Sequence, residues 1–176
     1  IGICDVLAGV RRWVKRLEPK ILRPNALAAC ELTEVRPAPS AALQVLPWLH
    51  PEADNNSNKI IEVIKNEDCK AGIAINTNVS VESIKDYLKN IDQVIVMTVK
   101  PGFGGQKFLH EQAKKIISLR EIKESLDLNF DIQVDGGINA ETSKICINNG
   151  ADILVAGSYI FQSNKENYKF LIDSLR

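Results

Sequence analysis

The stretch QVIVMTVKPGFGGQ, residues 93–106, joins an apolar, β-branched run to a proline and to three glycines within four positions. The run is typical of a buried strand, and the glycines outnumber what an ordinary turn requires. Glycine has no Cβ, so it tolerates positive φ and lets a phosphate lie directly against backbone N–H groups. The stretch therefore predicts a strand whose following loop approaches a ligand closely.

Similar apolar runs occur on both sides of this stretch, and each precedes a segment with helical spacing of its apolar residues. The runs are nearly continuous in hydrophobicity, as expected for strands buried on both faces of a parallel sheet. The predicted strands are 71–76, 93–99, 130–136 and 151–157, and the helical segments are 80–90, 106–125, 139–149 and 165–175. An earlier helix is predicted within 50–70, with Ile60, Ile61, Val63 and Ile64 on its buried side. The rhythm predicts an α/β fold and leaves open whether the sheet is doubly wound or a barrel.

The carboxyl ends of the predicted strands separate these two alternatives, because chemistry collects there in α/β folds. They read Asn76, then KPGFGGQ, then DGG (135–137), then AGS (156–158). A single glycine turn is most simply explained by turn geometry. Glycine-rich ends on successive late strands instead indicate the phosphate site common in eight-stranded α/β barrels.

The composition excludes several other classes of protein. Basic and acidic residues number 22 each, so no global charge favours nucleic acid or an anionic membrane as a partner. No apolar run is long enough for a transmembrane helix, and the first residues lack the layout of a signal peptide. The four cysteines are scattered and form no CxxC pair, which favours reduced structural thiols and a cytoplasmic location.

Residues 1–48 differ in composition from residues 49–176. The first segment has five Arg and two Lys, whereas the second has two Arg and thirteen Lys. We expect residues 1–48 to be a joined, misread or replaced N-terminus, or a lineage-specific extension. Within it, 5–18 is predicted to form a helix and 36–47 a connector, and neither contains recognisable chemistry.

Residues 49–176 resemble the ribulose-phosphate 3-epimerase family. The resemblance is carried by VIVMTVKPGFGGQKF (94–108), IQVDGGINAET (132–142) and GADILVAGSYIF (150–161), with HPEA (50–53) and CKAGIAIN (69–76) before them. It implies a (β/α)8 barrel that interconverts ribulose 5-phosphate and xylulose 5-phosphate in the pentose phosphate pathway. It also implies a divalent metal (zinc, iron or manganese) and two aspartates, and it leaves homo-oligomerisation open.

The resemblance assigns roles to individual positions of this sequence. Asp135 matches a residue that is both a metal ligand and an acid/base group, since epimerisation at C3 requires proton transfer on both faces. The remaining matched positions line the site, close over the sugar phosphate or hold its phosphate: Met97, Gly102, Phe103, Gly104, Gly105, Gly136, Gly137, Gly157 and Ser158. A turn former or helix cap is the alternative role for Asp135, and a core residue is the alternative for Met97.

The family's second aspartate and its metal-binding histidines belong to earlier strands, in a His-x-Asp-x-Met-Asp-Gly type of motif. Residues 1–48 contain no histidine, and Asp5 is the only aspartate there. His50 falls on the HPEA position and His110 on a polar helical surface, so neither is expected to bind metal. We therefore expect an incomplete barrel of about five β/α units with very low epimerase activity. The alternatives are a non-catalytic phosphate-binding half barrel, a gene remnant, or a 3-epimerase of a six-carbon ketose phosphate.

Overall fold

The computed structural model describes residues 48–51, 57–67, 69–102 and 104–176. All of them lie in the second of the two units into which the chain divides, Gln44–Arg176. The helix predicted at 5–18 and the connector predicted at 36–47 lie outside the described residues. The domain boundary predicted after residue 48 stays a prediction. Among the described residues, no helix combines the length and the apolar character needed to cross a bilayer.

In the part of the chain that the structure describes, five parallel strands form one sheet in the order β1-β2-β3-β4-β5, which is also their order in the chain. The strands are β1 (Trp48–Leu49), β2 (Gly72–Ile75), β3 (Gln93–Met97), β4 (Asp131–Asp135) and β5 (Ile153–Val155). Each strand is followed by a helical segment. The parallel, sequential order confirms the predicted α/β class and is the order of consecutive units in a (β/α)8 barrel.

Five α-helices and three 3₁₀ helices complete the regular structure in the described part of the chain. The α-helices are α1 (Ser57–Asn66), α2 (Ala113–Ser125), α3 (Ala140–Asn149), α4 (Ser158–Phe161) and α5 (Tyr168–Asp173). The 3₁₀ helices are Glu82–Asn90, His110–Gln112 and Lys165–Asn167. Helix α3 agrees with its prediction because its ends are marked: Asn139 caps it in a capping box with Thr142, and Gly150 ends it in the left-handed region.

Two predicted helices differ from the structure in start or type. The segment predicted to begin at residue 106 becomes helical only near residue 110, because Leu109 donates its N–H to the carbonyl of Thr98 and prolongs the pairing at the end of β3. The segment predicted as a helix over 80–90 is a 3₁₀ helix. There, the Ser83 hydroxyl bonds the carbonyl of Ser80, and such local bonds compete with the regular α-helical pattern. The one-turn helix α4 was not predicted.

The main core lies between one face of the sheet and the helices. Strand side chains alternate between faces, and the residues facing the helices are fully buried: Ile73, Ile75, Val94, Val96, Ile132 and Val134. Ile61 of α1 is buried against them, whereas the other three residues predicted for its buried side are only half-buried. On the opposite face of the sheet, the buried amides of Gln93 and Gln133 bond each other at 3.0 Å. Strands β2 and β3 are thus buried on both faces, as predicted from their continuous hydrophobicity.

Two similar groups of contacts stabilise the edge of the sheet at which the strands begin. In each group, here called an amino-end clasp, an aspartate accepts a backbone N–H of the neighbouring strand and pairs with a lysine of a helix. In the first, the Asp92 carboxylate before β3 accepts the N–H of Ala71 at 2.8 Å and pairs with Lys65 of α1 at 2.6 Å. The second clasp has the same parts two strands further along, between β4 and β5: Asp152 accepts the N–H of Ile132 at 2.8 Å and pairs with Lys123 of α2 at 3.1 Å. Each clasp ties a helix to two neighbouring strands, so stabilising contacts collect at this edge and leave the carboxyl edge free for a site.

Candidate functional site

A cleft of about 250 Å³ opens at the carboxyl ends of β3, β4 and β5. Its size lies just below the range of roughly 300–1,000 Å³ for drug-sized ligands, which suits a small metabolite. Nine of the ten residues predicted for the site line it: Met97, Gly102, Gly104, Gly105, Asp135, Gly136, Gly137, Gly157 and Ser158. The tenth, Phe103, lies outside the described residues. The fold thus brings together segments that are up to 61 residues apart in the sequence, from Met97 to Ser158.

Asp135 is the last residue of β4 and lies beside Met97 of β3 in the strand register. It follows Gln133 on the same face of the strand, which is the face turned away from the helices. The residue is half-buried, and this burial raises the pKa of its carboxyl above the ordinary value. Desolvation penalises the charged form, so the carboxylate is a stronger base than an exposed one. The position can therefore exchange a proton with a small ligand in the cleft.

The turn of Gly136 and Gly137 requires glycine for conformation and for space. Their φ values are +121° and +66°, a region that L side chains rarely adopt. A Cβ on Gly136 would lie 2.5 Å from the Val99 side chain, and one on Gly137 would lie 2.5 Å from the backbone nitrogen of Phe108. Val99 and Phe108, which precede and follow the glycine-rich loop, thus pack directly against this turn.

The glycine-rich loop is exposed but has a closed base. The Gln106 side-chain amide donates to the carbonyl of Lys100 at 2.7 Å, and Leu109 donates its N–H to Thr98 at 2.8 Å. Gly102 and Gly105 have positive φ, whereas Gly104 has no protein atom within 4 Å of the place a Cβ would take. Two residues with unusual φ at the ends of a loop are suited to act as hinges.

Gly157 and Ser158 form the third side of the cleft, after β5. Gly157 has a negative φ of −94°, and a Cβ there would meet nothing within 4 Å. Neither conformation nor protein packing therefore requires glycine at this position. The helix that begins at Ser158 has only four residues, so its dipole contributes little to the electrostatics of the cleft.

The residues described here do not fit a divalent metal. Within the described ranges, no group of three or more His, Cys, Asp or Glu side chains is placed to hold one. Among the described residues that line the cleft, Asp135 is the only acidic one. His50 is exposed, and so is His110, whose ring packs edge-on against Phe108 at 5.2 Å between centroids. That neither histidine binds a metal stays a prediction.

Six further residues line the cleft and were not predicted: Val99, Lys100, Pro101, Gln106, Ile138 and Val155. Lys100, Pro101 and Gln106 flank the glycines of the loop, so their place in the motif was an available signal. Val99 gave no such signal, because its importance comes from its contact with Gly136, 37 positions along the chain. Among the described residues that line the cleft, Lys100 is the only one with a positive charge.

The sequence is similar to one known protein family. A profile described as "Ribulose-phosphate 3 epimerase family" matches residues 38–161, beginning within the segment set apart by composition. The ribulose-phosphate 3-epimerases of Bacillus subtilis and Buchnera aphidicola are each 40% identical to this chain, over 123 and 127 residues. These matches cover 67% and 72% of this chain and 55% of each relative, so the chain spans about half the length of the curated relatives it matches.

Solved structures support the fold alone. A ligand-bound crystal structure of KGPDC from Streptococcus mutans matches with a TM-score of 0.54 at 17% identity, covering 74% of this chain and 61% of that one. A 3-hexulose-6-phosphate synthase matches with a TM-score of 0.50 at 16% identity, covering 74% and 59%. The profile covers more than half of the sequence, and the relatives exceed 30% identity over two thirds of it. The chain belongs to the ribulose-phosphate 3-epimerase family.

Proposed function

We propose that this chain is part of a ribulose-phosphate 3-epimerase, which interconverts ribulose 5-phosphate and xylulose 5-phosphate in the pentose phosphate pathway. The observation that carries the proposal is the single cleft that holds Asp135, two glycine turns and the glycine-rich loop. In this proposal the chain supplies the phosphate-binding side of the site and one of its two acid/base groups. The site serves a cytoplasmic enzyme.

The phosphate is held by backbone groups and one hydroxyl. Gly136 and Gly137 line one side of the cleft, and Gly157 and Ser158 line the other. At Gly157 the space that a side chain would fill is open, so a phosphate oxygen can approach the backbone N–H groups directly. Lys100 adds a positive charge close by, and closure of the glycine-rich loop would remove water from the bound sugar.

Asp135 is the proton acceptor for one face of C3. Its carboxylate takes the C3 proton, the C–H electron pair forms the C2–C3 double bond of an enediolate, and the carbonyl pair moves to the C2 oxygen. Burial raises the pKa of this carboxyl, which favours proton uptake. Inversion requires a second group to return a proton to the opposite face, and the described lining residues contain no second carboxyl.

A divalent metal, expected as zinc, iron or manganese, would stabilise the enediolate oxygens when bound. Among the described residues only Asp135 lines the cleft with a carboxylate that could contribute a ligand, so the described residues do not hold the ion by themselves. We therefore expect the purified chain to bind sugar phosphate weakly and to exchange at most one face of C3. The alternative function, a non-catalytic phosphate-binding half barrel, is favoured by the same lack of a second described carboxyl.

Phosphate binding tests the site without requiring turnover. We expect inorganic phosphate to bind the purified chain in calorimetry, and Gly157→Val to abolish binding by filling the approach. The control is Asn129→Val, which places a valine at the opposite, amino edge of β4, where the residue is exposed. Equal phosphate affinity in the parent and in Gly157→Val would refute the site.

Activity distinguishes the two functions. The assay is conversion of ribulose 5-phosphate to xylulose 5-phosphate with zinc, iron or manganese added, together with deuterium uptake at C3 in heavy water. Deuterium uptake without inversion, lost in Asp135→Asn, supports a partial epimerase site. Phosphate binding with no exchange supports the non-catalytic alternative. Turnover near the enzyme median of ~10 s⁻¹ would show that a second acid/base group completes the site.

A further inference from the structure

Thr98 lies directly beneath the turn of Gly136 and Gly137. It follows β3, is completely buried, and is not among the residues that line the cleft. Its N–H donates to the carbonyl of Asp135 at 2.9 Å. Its hydroxyl lies 2.6 Å from the carbonyl oxygen of Gly136 and 3.1 Å from that of Asp135. A hydroxyl has one proton, so the shorter contact is the hydrogen bond, and Thr98 holds two consecutive carbonyls at once.

Two consecutive carbonyls that point the same way are unusual in an extended chain. In a regular strand successive carbonyls point to opposite sides, and the positive φ of Gly136, which joins the two peptide planes, departs from this extended pattern. The described peptide bonds are all trans, so each N–H lies opposite the carbonyl of its own peptide plane. With the carbonyls of Asp135 and Gly136 turned toward Thr98, the N–H groups of Gly136 and Gly137 both point away from it.

The side away from Thr98 is the side of β5 and the cleft, because Thr98 belongs to the segment after β3 and β4 lies between these two strands. Successive N–H groups that point in one direction form a concave anion-binding arrangement. From these bonds we propose that Thr98 is a positioning residue for the phosphate: it touches no ligand, but its hydroxyl and N–H align the two glycine N–H donors. This inference rests on the phosphate site proposed above.

The same residue also connects this turn to the glycine-rich loop. The carbonyl of Thr98 accepts the N–H of Leu109, the bond that closes the base of the loop. All three of its polar backbone and side-chain contacts therefore join the loop base to the phosphate turn. Thr98 thus bonds both to the base of the glycine-rich loop and to the turn that supplies the proposed phosphate donors.

The test compares Thr98→Val, which removes the hydroxyl at nearly constant shape, with Thr98→Ser, which retains it. Inorganic phosphate is titrated while the amide resonances of Gly136 and Gly137 are followed by NMR. We expect Thr98→Val to weaken phosphate binding about 3- to 10-fold, the effect of one hydrogen bond, and to reduce the phosphate-induced shift of both amides. Thr98→Ser should restore both. Thr98→Ala gives the same comparison if the valine variant does not fold.

The control is Ser143→Ala, which removes another fully buried hydroxyl, bonded to a carbonyl within α3 at 3.3 Å. It should lower stability without changing phosphate affinity. Unchanged affinity in Thr98→Val, with a parent that binds phosphate, would overturn the role of Thr98 alone. A parent that shows no phosphate-dependent shift would overturn the proposed phosphate site and this inference together. Equal losses in Thr98→Val and Ser143→Ala would reduce Thr98 to a general stabilising residue.

Discussion

Gly137 and Gly157 line the same cleft, and we expect alanine at Gly137 to lower the stability of the fold and alanine at Gly157 to lower only ligand affinity. Alanine at Gly137 would adopt a φ of +66° and place its Cβ 2.5 Å from a backbone nitrogen, that of Phe108. Alanine at Gly157 would keep an ordinary φ and meet no protein atom within 4 Å. The first substitution should therefore damage the fold, and the second should damage only ligand binding.

The cost at Gly137 can be worked from its parts. The left-handed conformation costs alanine about 1–2 kcal/mol, and the clash with backbone adds roughly 1–3 kcal/mol, since backbone yields less easily than a side chain. Alanine recovers about 0.4–1 kcal/mol by restricting the unfolded chain. The free energy of unfolding should thus fall by about 1–5 kcal/mol, which lowers the melting temperature by roughly 2–20 °C for a chain of this size.

Urea and thermal unfolding, followed by far-ultraviolet circular dichroism, measure this difference, and calorimetry with inorganic phosphate measures binding. Gly157→Ala should unfold at or slightly above the parent's midpoint and should bind phosphate more weakly. The reasoning is wrong if Gly137→Ala is as stable as the parent, or if Gly157→Ala loses comparable stability. In the second case glycine at 157 would serve the fold and not the ligand.

Three further predictions concern individual charges and thiols. Because folding raises the pKa of Asp135, its ionised carboxylate destabilises the fold at neutral pH; Asp135→Asn should raise the unfolding midpoint at pH 7, and the gain should vanish below the ordinary carboxyl pKa. A constant gain at all pH values would contradict this cause. Asp152→Ala should lower the free energy of unfolding in urea by about 1–3 kcal/mol, since it leaves a backbone N–H and a lysine without their acceptor. The control Asp173→Ala breaks an exposed ion pair at 3.7 Å and should lower it by less than ~0.5 kcal/mol. Similar losses of stability in the two variants would count against the clasp. Burial raises the pKa of the Cys146 thiol to about 11, so iodoacetamide followed by peptide mass spectrometry should modify Cys69 well before Cys146 in the native protein, and equal labelling would show that α3 opens readily.

The central strands β2, β3 and β4 were predictable from the sequence because they are largely buried on both faces, whereas β5 is half-buried along its length and does not follow that prediction. Runs such as 93–99 are continuous in hydrophobicity, and the structure buries them from Gln93 to Val96. The sequential order of the strands was predicted from the glycine-rich strand ends and the family resemblance, because the strand–helix rhythm alone also fits a doubly wound sheet, whose order is not sequential. Most strand ends were predicted slightly too long, because the ladder stops where the chain turns into the cleft.

The sequence predicted which residues line the cleft, but it did not predict the residues that hold them in place. Glycine motifs identify the residues predicted to approach a ligand. Thr98, Val99 and Phe108 instead contact the turn of Gly136 and Gly137, which lies 29 to 38 positions further along the chain. The prediction that the helix begins at residue 106 failed for the same reason: a tertiary bond to the end of β3 overrides local helical spacing. The roles of Asp135 and of the glycines in binding and catalysis stay predictions.

The amino-end clasps have a consequence for how the chain acquires its structure during synthesis. Lys65 precedes Asp92 by 27 residues, and Lys123 precedes Asp152 by 29. A ribosome adds about 5–20 residues per second, so the two halves of each clasp emerge roughly 1–6 s apart. Each clasp can close on chain that has just left the ribosome, without waiting for distant segments. The described sheet can therefore be assembled from its first strands to its last as translation proceeds, with the inner edges of its strands left unpaired only for seconds.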